Sequence, residues 1–170
     1  LARRPARSLT RRAILRGVST VRARVEIPGR RIAEVEELWY DRARWPAFVD
    51  GLKHVHAVEG GYPAVGGKVI WDSFPGGRGR VLERVAAYEP RGGQELEVED
   101  ESIRGRQRLR FAALGPSTVG VELELEYALK QANAFTPVTD ALFIRRAQRE
   151  SLQRTLLRLR HELAADDEIA

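Results

Sequence analysis

Glu83 is the residue whose position in this sequence most suggests chemistry. Side chains alternate from residue 80 to residue 85, so that Arg80 and Arg84 lie on one face of a predicted strand and Val81 and Val85 on the other. Glu83 falls on the apolar face, where a carboxylate is costly unless it is paired or hydrated. A polar group inside an apolar cavity can orient the headgroup of a ligand, and a carboxyl group can also transfer a proton.

Arg145 is the second candidate, because it lies near the centre of the apolar stripe of the last predicted helix, with Arg149 beside it. Three interpretations are open. Glu83 and Arg145 could form a polar patch inside a cavity, or they could simply pair with each other. Alternatively, the arginine side chains could extend past the edge of the sheet, and a bulge could turn Glu83 outward.

Other kinds of chemical site have weaker support. His54 and His56 lie on one face of a short predicted strand, but a metal site needs a third ligand, and His161 lies near the end of the last helix. The sequence has no cysteine and no Gly-x-Ser-x-Gly motif. The glycine-rich stretch 76–79 fits a hairpin turn better than a phosphate-binding loop. We therefore expect no metal site and no cofactor.

The positive charge of the chain is concentrated at its N-terminus. The net charge is +5, and residues 1–17 hold six arginines and no acidic residue, so the rest of the chain is close to neutral. We expect a flexible basic arm over residues 1–17, which could contact an anionic membrane or a nucleic acid. Residues 10–16 resemble a twin-arginine export signal, but Arg22 and Arg24 interrupt the apolar stretch that such a signal needs. The expected location is cytoplasmic.

The clearest structural pattern is a hairpin over residues 106–127. Arginines alternate with apolar residues on its first strand, and glutamates alternate with apolar residues on its second. If Arg108 lies opposite Glu124, every outward arginine meets an outward glutamate and every apolar residue points inward. Neighbouring strands continue the pattern, which predicts an outer surface that alternates Arg, Glu, Arg, Glu, Arg across five strands.

Hydrophobic periodicity and turn residues predict one strand, two short helices, six strands and one long helix. The predicted ranges are strand 21–27, helices 31–40 and 42–49, strands 55–59, 68–73, 79–88, 94–100, 104–114 and 118–129, and a last helix capped by Thr136 and Pro137. At about 1.5 Å per residue, the roughly 28 residues of the last helix could cross a whole sheet. This order predicts one α+β domain over residues 18–165, followed by an acidic tail over residues 166–170.

Four stretches between about residues 18 and 163 carry a family resemblance. They are the strand end Ile27-Pro28-Gly29 before a helix with Ile32, Val35 and Trp39, the stretch Asp41-Arg42-Ala43-Arg44-Trp45-Pro46-Ala47-Phe48, the segments Val65-Gly66-Gly67-Lys68 and Val85-Ala86-Ala87-Tyr88-Glu89-Pro90, and the closing helix with Ser151-Leu152 and Leu156-Leu159. In this order and spacing, they resemble the polyketide cyclase/dehydrase and lipid transport family of the START-like (SRPBCC) superfamily. The second stretch is similar to the D-x-x-x-W-P-x-F stretch of that family.

The resemblance implies a helix-grip fold, in which a seven-stranded curved antiparallel sheet wraps around a long C-terminal helix and two short helices follow the first strand. In that fold, a cavity between sheet and helix typically receives an apolar ligand. The family includes carriers of lipids and sterols, coenzyme Q-binding proteins and aromatase/cyclases. It offers no universal catalytic motif, so the resemblance assigns no catalytic residue.

The candidate lining of this cavity combines inward-facing residues of the strands and of the last helix. The set is Trp71, Glu83, Phe111, Leu123, Tyr127, Leu142 and Arg145. The apolar members could equally be plain core. Trp39, Trp45 and Phe48 are expected to pack the short helices against the sheet.

The favoured hypothesis is that the chain binds or carries a small apolar molecule, such as a lipid, an isoprenoid or a polyketide-like compound. Apolar inward positions are abundant, and no set of acid and base groups converges. One alternative is a cyclase or dehydrase in which Glu83, Tyr127 or Arg145 polarises a carbonyl or transfers a proton. Another is an interaction module that docks through the basic arm. The sequence leaves the ligand and the oligomeric state open.

Overall fold

The computed structural model describes residues 17–130 and 138–169. The strands are β1 (Val18–Pro28), β2 (Leu52–Glu59), β3 (Lys68–Ser73), β4 (Arg80–Glu89), β5 (Gly93–Glu99), β6 (Ile103–Gly115) and β7 (Thr118–Leu129). The helices are α1 (Ile32–Tyr40), α2 (Trp45–Phe48) and α3 (Val138–Ile169). All seven strands pair antiparallel in the order β1-β7-β6-β5-β4-β3-β2, so β1 and β2 are the edges of the sheet. The predicted α+β element order is confirmed.

Several boundaries differ from the predictions, and β1 begins at Val18 instead of residue 21. β2 begins at Leu52 instead of residue 55, and α2 is a single turn of four residues. The helix α3 runs for 32 residues to Ile169, so most of the predicted acidic tail is helical. Residues 1–16 of the basic arm predicted over residues 1–17, and the predicted cap at residues 136–137, lie outside the described residues. None of the described helices is long and apolar enough to cross a membrane.

The register of the sheet is the one that the charge pattern predicts. Arg108 pairs with Glu124 across β6 and β7, and Glu124 in turn pairs with Arg22 of β1. The Arg108 guanidinium lies 2.8 Å from Glu124 and 3.0 Å from Glu95 of β5, and Arg22 contacts Glu124. Partly exposed pairs of this kind contribute at most about 1 kcal/mol each. Their main effect is to penalise a register shift, which would place like charges opposite each other.

The helices cover the inner face of the sheet. The helix α3 packs against β1 and α2, and it buries one stripe made of Leu152, Leu156, Leu159 and Leu163. The prediction for the short helices is confirmed, because Trp39, Trp45 and Phe48 are all buried in the same core. These contacts make one continuous core between the sheet and the helices.

Three hydrogen-bonded contacts hold the short helices and the segment after them in place. The Trp45 indole nitrogen donates to the Trp39 carbonyl oxygen at 2.7 Å, which joins α2 to α1. The Thr155 hydroxyl of α3 accepts a hydrogen bond from the backbone nitrogen of Asp50 at 3.0 Å. The Arg154 guanidinium donates to both oxygens of the same aspartate at 2.9 and 3.0 Å. The segment after α2 is therefore tied to α3.

The edge strand β2 is irregular. Its pairing with β3 shifts between Leu52 and His54 and again between Val55 and Ala57. Each shift is a bulge, in which one extra residue lies on the bulged strand and re-aims the neighbouring side chains. His54 and His56 are both exposed as a result.

Candidate ligand-binding site

One row of inward-facing residues crosses the middle of the sheet. Strand pairing places Glu83 of β4 between Val69 of β3 and Val98 of β5, and continues through Gly105 of β6 to Tyr127 of β7. Glu83 is 8% exposed and Tyr127 is 3% exposed, so the prediction that Glu83 faces inward is confirmed. The row holds two polar side chains, separated by Val98 and Gly105.

Gly105 allows a close approach between β6 and β7 in this row. A Cβ atom at this position would lie 2.8 Å from the Cβ of Tyr127 and closer still to the backbone oxygen of Glu126. Since real Cβ atoms do not approach so closely, only glycine fits here. The inner face beside Tyr127 therefore lacks the side chain that would otherwise separate it from Val98.

The Glu83 carboxyl group has one hydrogen-bond donor in the described structure. The Trp71 indole nitrogen donates to Glu83 Oε1 at 3.1 Å, and Trp71 itself is 1% exposed. Burial raises the pKa of Glu83, against smaller opposing effects from the Trp71 hydrogen bond and the charge of Arg78. A carboxyl group with a raised pKa is more readily protonated, and in that form it can donate a hydrogen bond to a ligand.

Arg78 extends from the β3–β4 turn towards Trp71 and Glu83. Its guanidinium lies 5.6 Å above the Trp71 ring, and its Nε donates to the buried Asp100 carboxylate at 2.7 Å. Asp100 also accepts the backbone N–H groups of Ser102 and Ile103 at 2.8 and 2.9 Å, which closes the β5–β6 turn. The Nη2 atom of Arg78 is buried and has no hydrogen-bond partner among the described residues.

The loop after β2 adds a second polar group near Glu83. The Tyr62 hydroxyl lies 3.4 Å from Gln94 Oε1 on β5, and the Tyr62 ring packs edge-on against Trp45 and Tyr40 with centroids 5.8 and 6.1 Å apart. Burial raises the pKa of Tyr62, and the negative charge of Glu83 raises it further. The phenol is therefore protonated, and it donates its one hydrogen to Gln94 Oε1.

Tyr127 contributes another phenol at the opposite end of the row. Its hydroxyl oxygen is buried and makes no hydrogen bond of good geometry with the described residues, although the side chain of Ser19, which pairs with Tyr127 across β1 and β7, lies close to it. Burial raises the pKa of this phenol, while Ser19 and the charge of Arg145 act in the opposite direction. A buried donor without a partner is costly, and a ligand oxygen could satisfy it.

The apolar wall lies beside this row on β6 and β7. Phe111 is 7% exposed and Leu123 is 1% exposed, as predicted for inward-facing residues. Leu156 and Leu159 of α3 belong to the same buried cluster. The strands thus present a mainly apolar surface interrupted by Glu83, the two phenols and the unused nitrogen of Arg78.

Leu142 and Arg145 lie elsewhere. Leu142 is 59% exposed, so the prediction that it belongs to the buried stripe of the last helix is wrong. Both residues line an open cleft of about 560 Å³ between α3 and β1, together with Val21 and the exposed arginines Arg146 and Arg149. The possible pairing of Glu83 with Arg145 is not found among the described residues. Arg145 is exposed beside β1, whereas the Glu83 carboxyl group is buried beside Trp71.

Sequence reasoning missed Arg78, Tyr62 and Gln94. Arg78 and Tyr62 lie in loops, where no periodicity indicates the direction of a side chain. Gln94 lies on β5, and its inward position follows from the same alternation that places Leu96 and Val98 on the inner face. The alternation in β5 is therefore the signal that could have identified one of the three.

Comparisons with known proteins agree with this architecture. The model of the family described as polyketide cyclase / dehydrase and lipid transport matches residues 19–164. No curated protein matches this chain. Among solved structures, the chain is similar to the Zhui aromatase/cyclase from Streptomyces sp. R1128, with 13% identity, a TM-score of 0.68, and coverage of 86% of this chain and 94% of that one.

Two other solved structures share the fold. A START superfamily protein from Mycobacterium smegmatis has 14% identity and a TM-score of 0.67, with coverage of 86% of this chain and 97% of that one. Norcoclaurine synthase from Thalictrum flavum, in complex with dopamine and hydroxybenzaldehyde, has 10% identity and a TM-score of 0.64, with 87% of each chain covered. The curved seven-stranded sheet with its long C-terminal helix is the helix-grip fold of these proteins, and this chain belongs to the polyketide cyclase/dehydrase and lipid transport family of the START-like superfamily.

Proposed function

We propose that this chain binds or carries a small, mainly apolar molecule with one hydrogen-bonding end, in the interior between the sheet and α3. The observation that carries the proposal is Glu83, a carboxyl group with a raised pKa on a mainly apolar inner face. Such a group is costly for folding unless something compensates for it. A ligand oxygen placed beside Glu83 is one such compensation.

The surrounding groups favour a ligand with a carbonyl or hydroxyl group at one end. The unused Nη2 of Arg78 is a hydrogen-bond donor near Glu83, and the Tyr62 hydroxyl, which donates to Gln94, can still accept a hydrogen bond. The wall of Phe111 and Leu123 suits an apolar body. A lipid, an isoprenoid or a polyketide-like compound combines these two properties.

Filling the interior tests this proposal. The probe is a fluorescent fatty acid, 11-(dansylamino)undecanoic acid, titrated into the full chain. Val98→Phe adds volume at the centre of the inner row, and we expect it to weaken binding by at least about tenfold, equivalent to about 1.4 kcal/mol. Leu82→Phe adds the same kind of ring to the outer face of the neighbouring strand, and serves as the matched control. Equal affinities in the two folded variants would exclude the interior as the binding site.

A second candidate function is catalysis of the cyclase or dehydrase type. It is favoured by the raised pKa of Glu83 together with the unpartnered phenol of Tyr127, because both groups can hold a proton in an apolar surrounding. Turnover of a poly-β-ketone thioester by the wild-type chain would establish it. Glu83→Gln and Tyr127→Phe should then lose turnover but still bind the fluorescent fatty acid. Unchanged turnover in both variants would remove these residues from any mechanism.

A further inference from the structure

Three metal-ligating side chains meet on the outer face of the sheet, away from the interior site. His54 Nε2 lies 3.3 Å from Asp72 Oδ2, and His56 Nδ1 lies 3.9 Å from the same oxygen. One donor atom from each residue lies within 4.8 Å of the other two. The sequence shows the two histidines but not the aspartate, which comes from the neighbouring strand.

The bulges of β2 create this arrangement. His54 pairs directly with Asp72 across β2 and β3, which puts both side chains on the same face of the sheet. His56 is the extra residue of the second bulge, between Val55 and Ala57. A bulge redirects the side chain of the inserted residue, and here it leaves His56 beside the same carboxylate as His54.

The distances suit a tetrahedral ion. Zn²⁺ binds imidazole nitrogen and carboxylate oxygen at about 2.0–2.2 Å, so two ligands of a tetrahedral ion lie about 3.3–3.5 Å apart. The distance from His54 to Asp72 already has this value, and the distance from His56 to Asp72 exceeds it by a few tenths of an ångström. The side chains of both histidines are about half exposed, so a small rotation can close the difference.

Arg80 holds the aspartate in place. Its Nε donates to Asp72 Oδ1 at 2.8 Å and its Nη2 donates to Oδ2 at 3.2 Å. Because Oδ2 accepts one hydrogen bond from Arg80, one of its two lone pairs remains for a metal ion beside the histidines. Partners that orient a ligating carboxylate in this way are a usual part of metal sites.

We propose that His54, His56 and Asp72 bind one divalent transition-metal ion of the zinc class, through His54 Nε2, His56 Nδ1 and Asp72 Oδ2. Two imidazoles and one carboxylate suit Zn²⁺, Cu²⁺ and Ni²⁺ better than Mg²⁺ or Ca²⁺, which prefer oxygen ligands. Because the cluster is open to solvent, water takes the fourth position. The site lies on the opposite face of the sheet from Glu83, so it does not depend on the proposed ligand-binding function.

Zinc titration of the full chain tests the site, with a chromophoric zinc chelator as competitor. We expect one saturable Zn²⁺ per chain, and a loss of affinity of at least about tenfold in each of His54→Ala, His56→Ala and Asp72→Asn. His161→Ala is the matched control, because His161 is the third histidine of the chain and lies on α3. Its affinity should stay within about twofold of wild type.

The mode of coordination gives a second measurement that does not depend on affinity. Imidazole nitrogen NMR should show Zn²⁺ on the Nε2 atom of His54 and on the Nδ1 atom of His56. Absence of saturable binding would overturn the proposal. It would also be overturned if His161→Ala weakened binding as much as His54→Ala, since the ion would then belong to surface histidines in general.

Discussion

Glu124 and Glu83 belong to one sheet, but they face opposite sides of it and meet opposite surroundings. Glu124 lies on the outer face between Arg22 and Arg108, and the hydrogen bond from Arg22 is the largest of the effects that lower the pKa of its carboxyl group. Glu83 lies on the inner face, where burial raises the pKa. The difference teaches that the direction of a side chain on the pleat decides whether a glutamate stabilises the fold or is available for another use.

The first test of the comparison removes Trp71, the large side chain that donates a hydrogen bond to Glu83. Trp71→Ala should destabilise the protein by about 3–5 kcal/mol, because it leaves a cavity and removes the donor to Glu83. Ile70→Ala, on the outward side of the same strand, should cost clearly less. Urea denaturation followed by circular dichroism measures both changes, and equal losses would show that the inner face is no better packed than the outer face.

The second test concerns the sign of the pH dependence. The pKa of Glu83 in the folded protein is raised above the ordinary value of 4.5, so its burial weakens the fold as the pH rises from 4.5 through the folded pKa. Glu83→Gln keeps an acceptor for Trp71 and removes this penalty. We therefore expect the variant to gain about 1–3 kcal/mol relative to wild type between acidic and neutral pH.

Glu124→Gln provides the opposite case. Because the folded pKa of Glu124 is lowered, its contribution is present above the unfolded pKa and is lost as the pH falls through the folded value. As the pH rises, Glu83→Gln should therefore gain stability relative to wild type, and Glu124→Gln should lose stability relative to wild type. If the two differences changed with pH in the same sense, the contrast between the two faces would be incorrect.

The third test weakens the outer face. Arg108 contacts both Glu95 and Glu124, and its removal in Arg108→Ala should cost about 0.5–1 kcal/mol at low salt and less at high salt. Arg110→Ala on the same face is the control, since no ion pair is found for Arg110 among the described residues. Denaturation at two salt concentrations measures the difference, and a loss that does not respond to salt would indicate a packing effect instead.

The smallest effect is expected at the start of α3. Leu142→Ser and Phe143→Ser alter side chains that are 59% and 72% exposed, so each should change the stability by no more than about 0.5 kcal/mol. Leu156→Ala, in the buried stripe of the same helix, should cost about 2–5 kcal/mol. A large effect of Leu142→Ser on thermal unfolding would mean that this end of the helix is covered by another part of the protein.

The sequence predicted the register of the sheet well, because several charge pairs indicated the same register. Each outward arginine from Arg106 to Arg110 has a glutamate opposite it on the neighbouring strand, between Glu122 and Glu126. A single register therefore satisfies all three pairs. The inward direction of Glu83 followed from the same alternation. A period of two leaves little freedom once one strand pair is fixed.

The features that the sequence did not predict correctly have physical causes. The apolar stripe shows which face of α3 packs inward, but it does not show how much of the helix length is covered by the rest of the core. Leu142 lies outside the covered part and is exposed. The bulges of β2 interrupt the period of two, so the approach of Asp72 to His54 and His56 could not be read from spacing. Arg78 reaches Trp71 from a turn, where backbone geometry, not periodicity, sets the direction of the side chain.

The bulges of β2 also bear on how the molecule behaves beside copies of itself. A strand at the edge of a sheet exposes unpaired backbone groups, which a straight strand of another chain can join. In β2 the two bulges break that line of groups within eight residues, and Lys53, His54 and His56 add exposed polar side chains along it. The same irregularity that brings the histidines to Asp72 therefore makes this edge a poor template for aggregation.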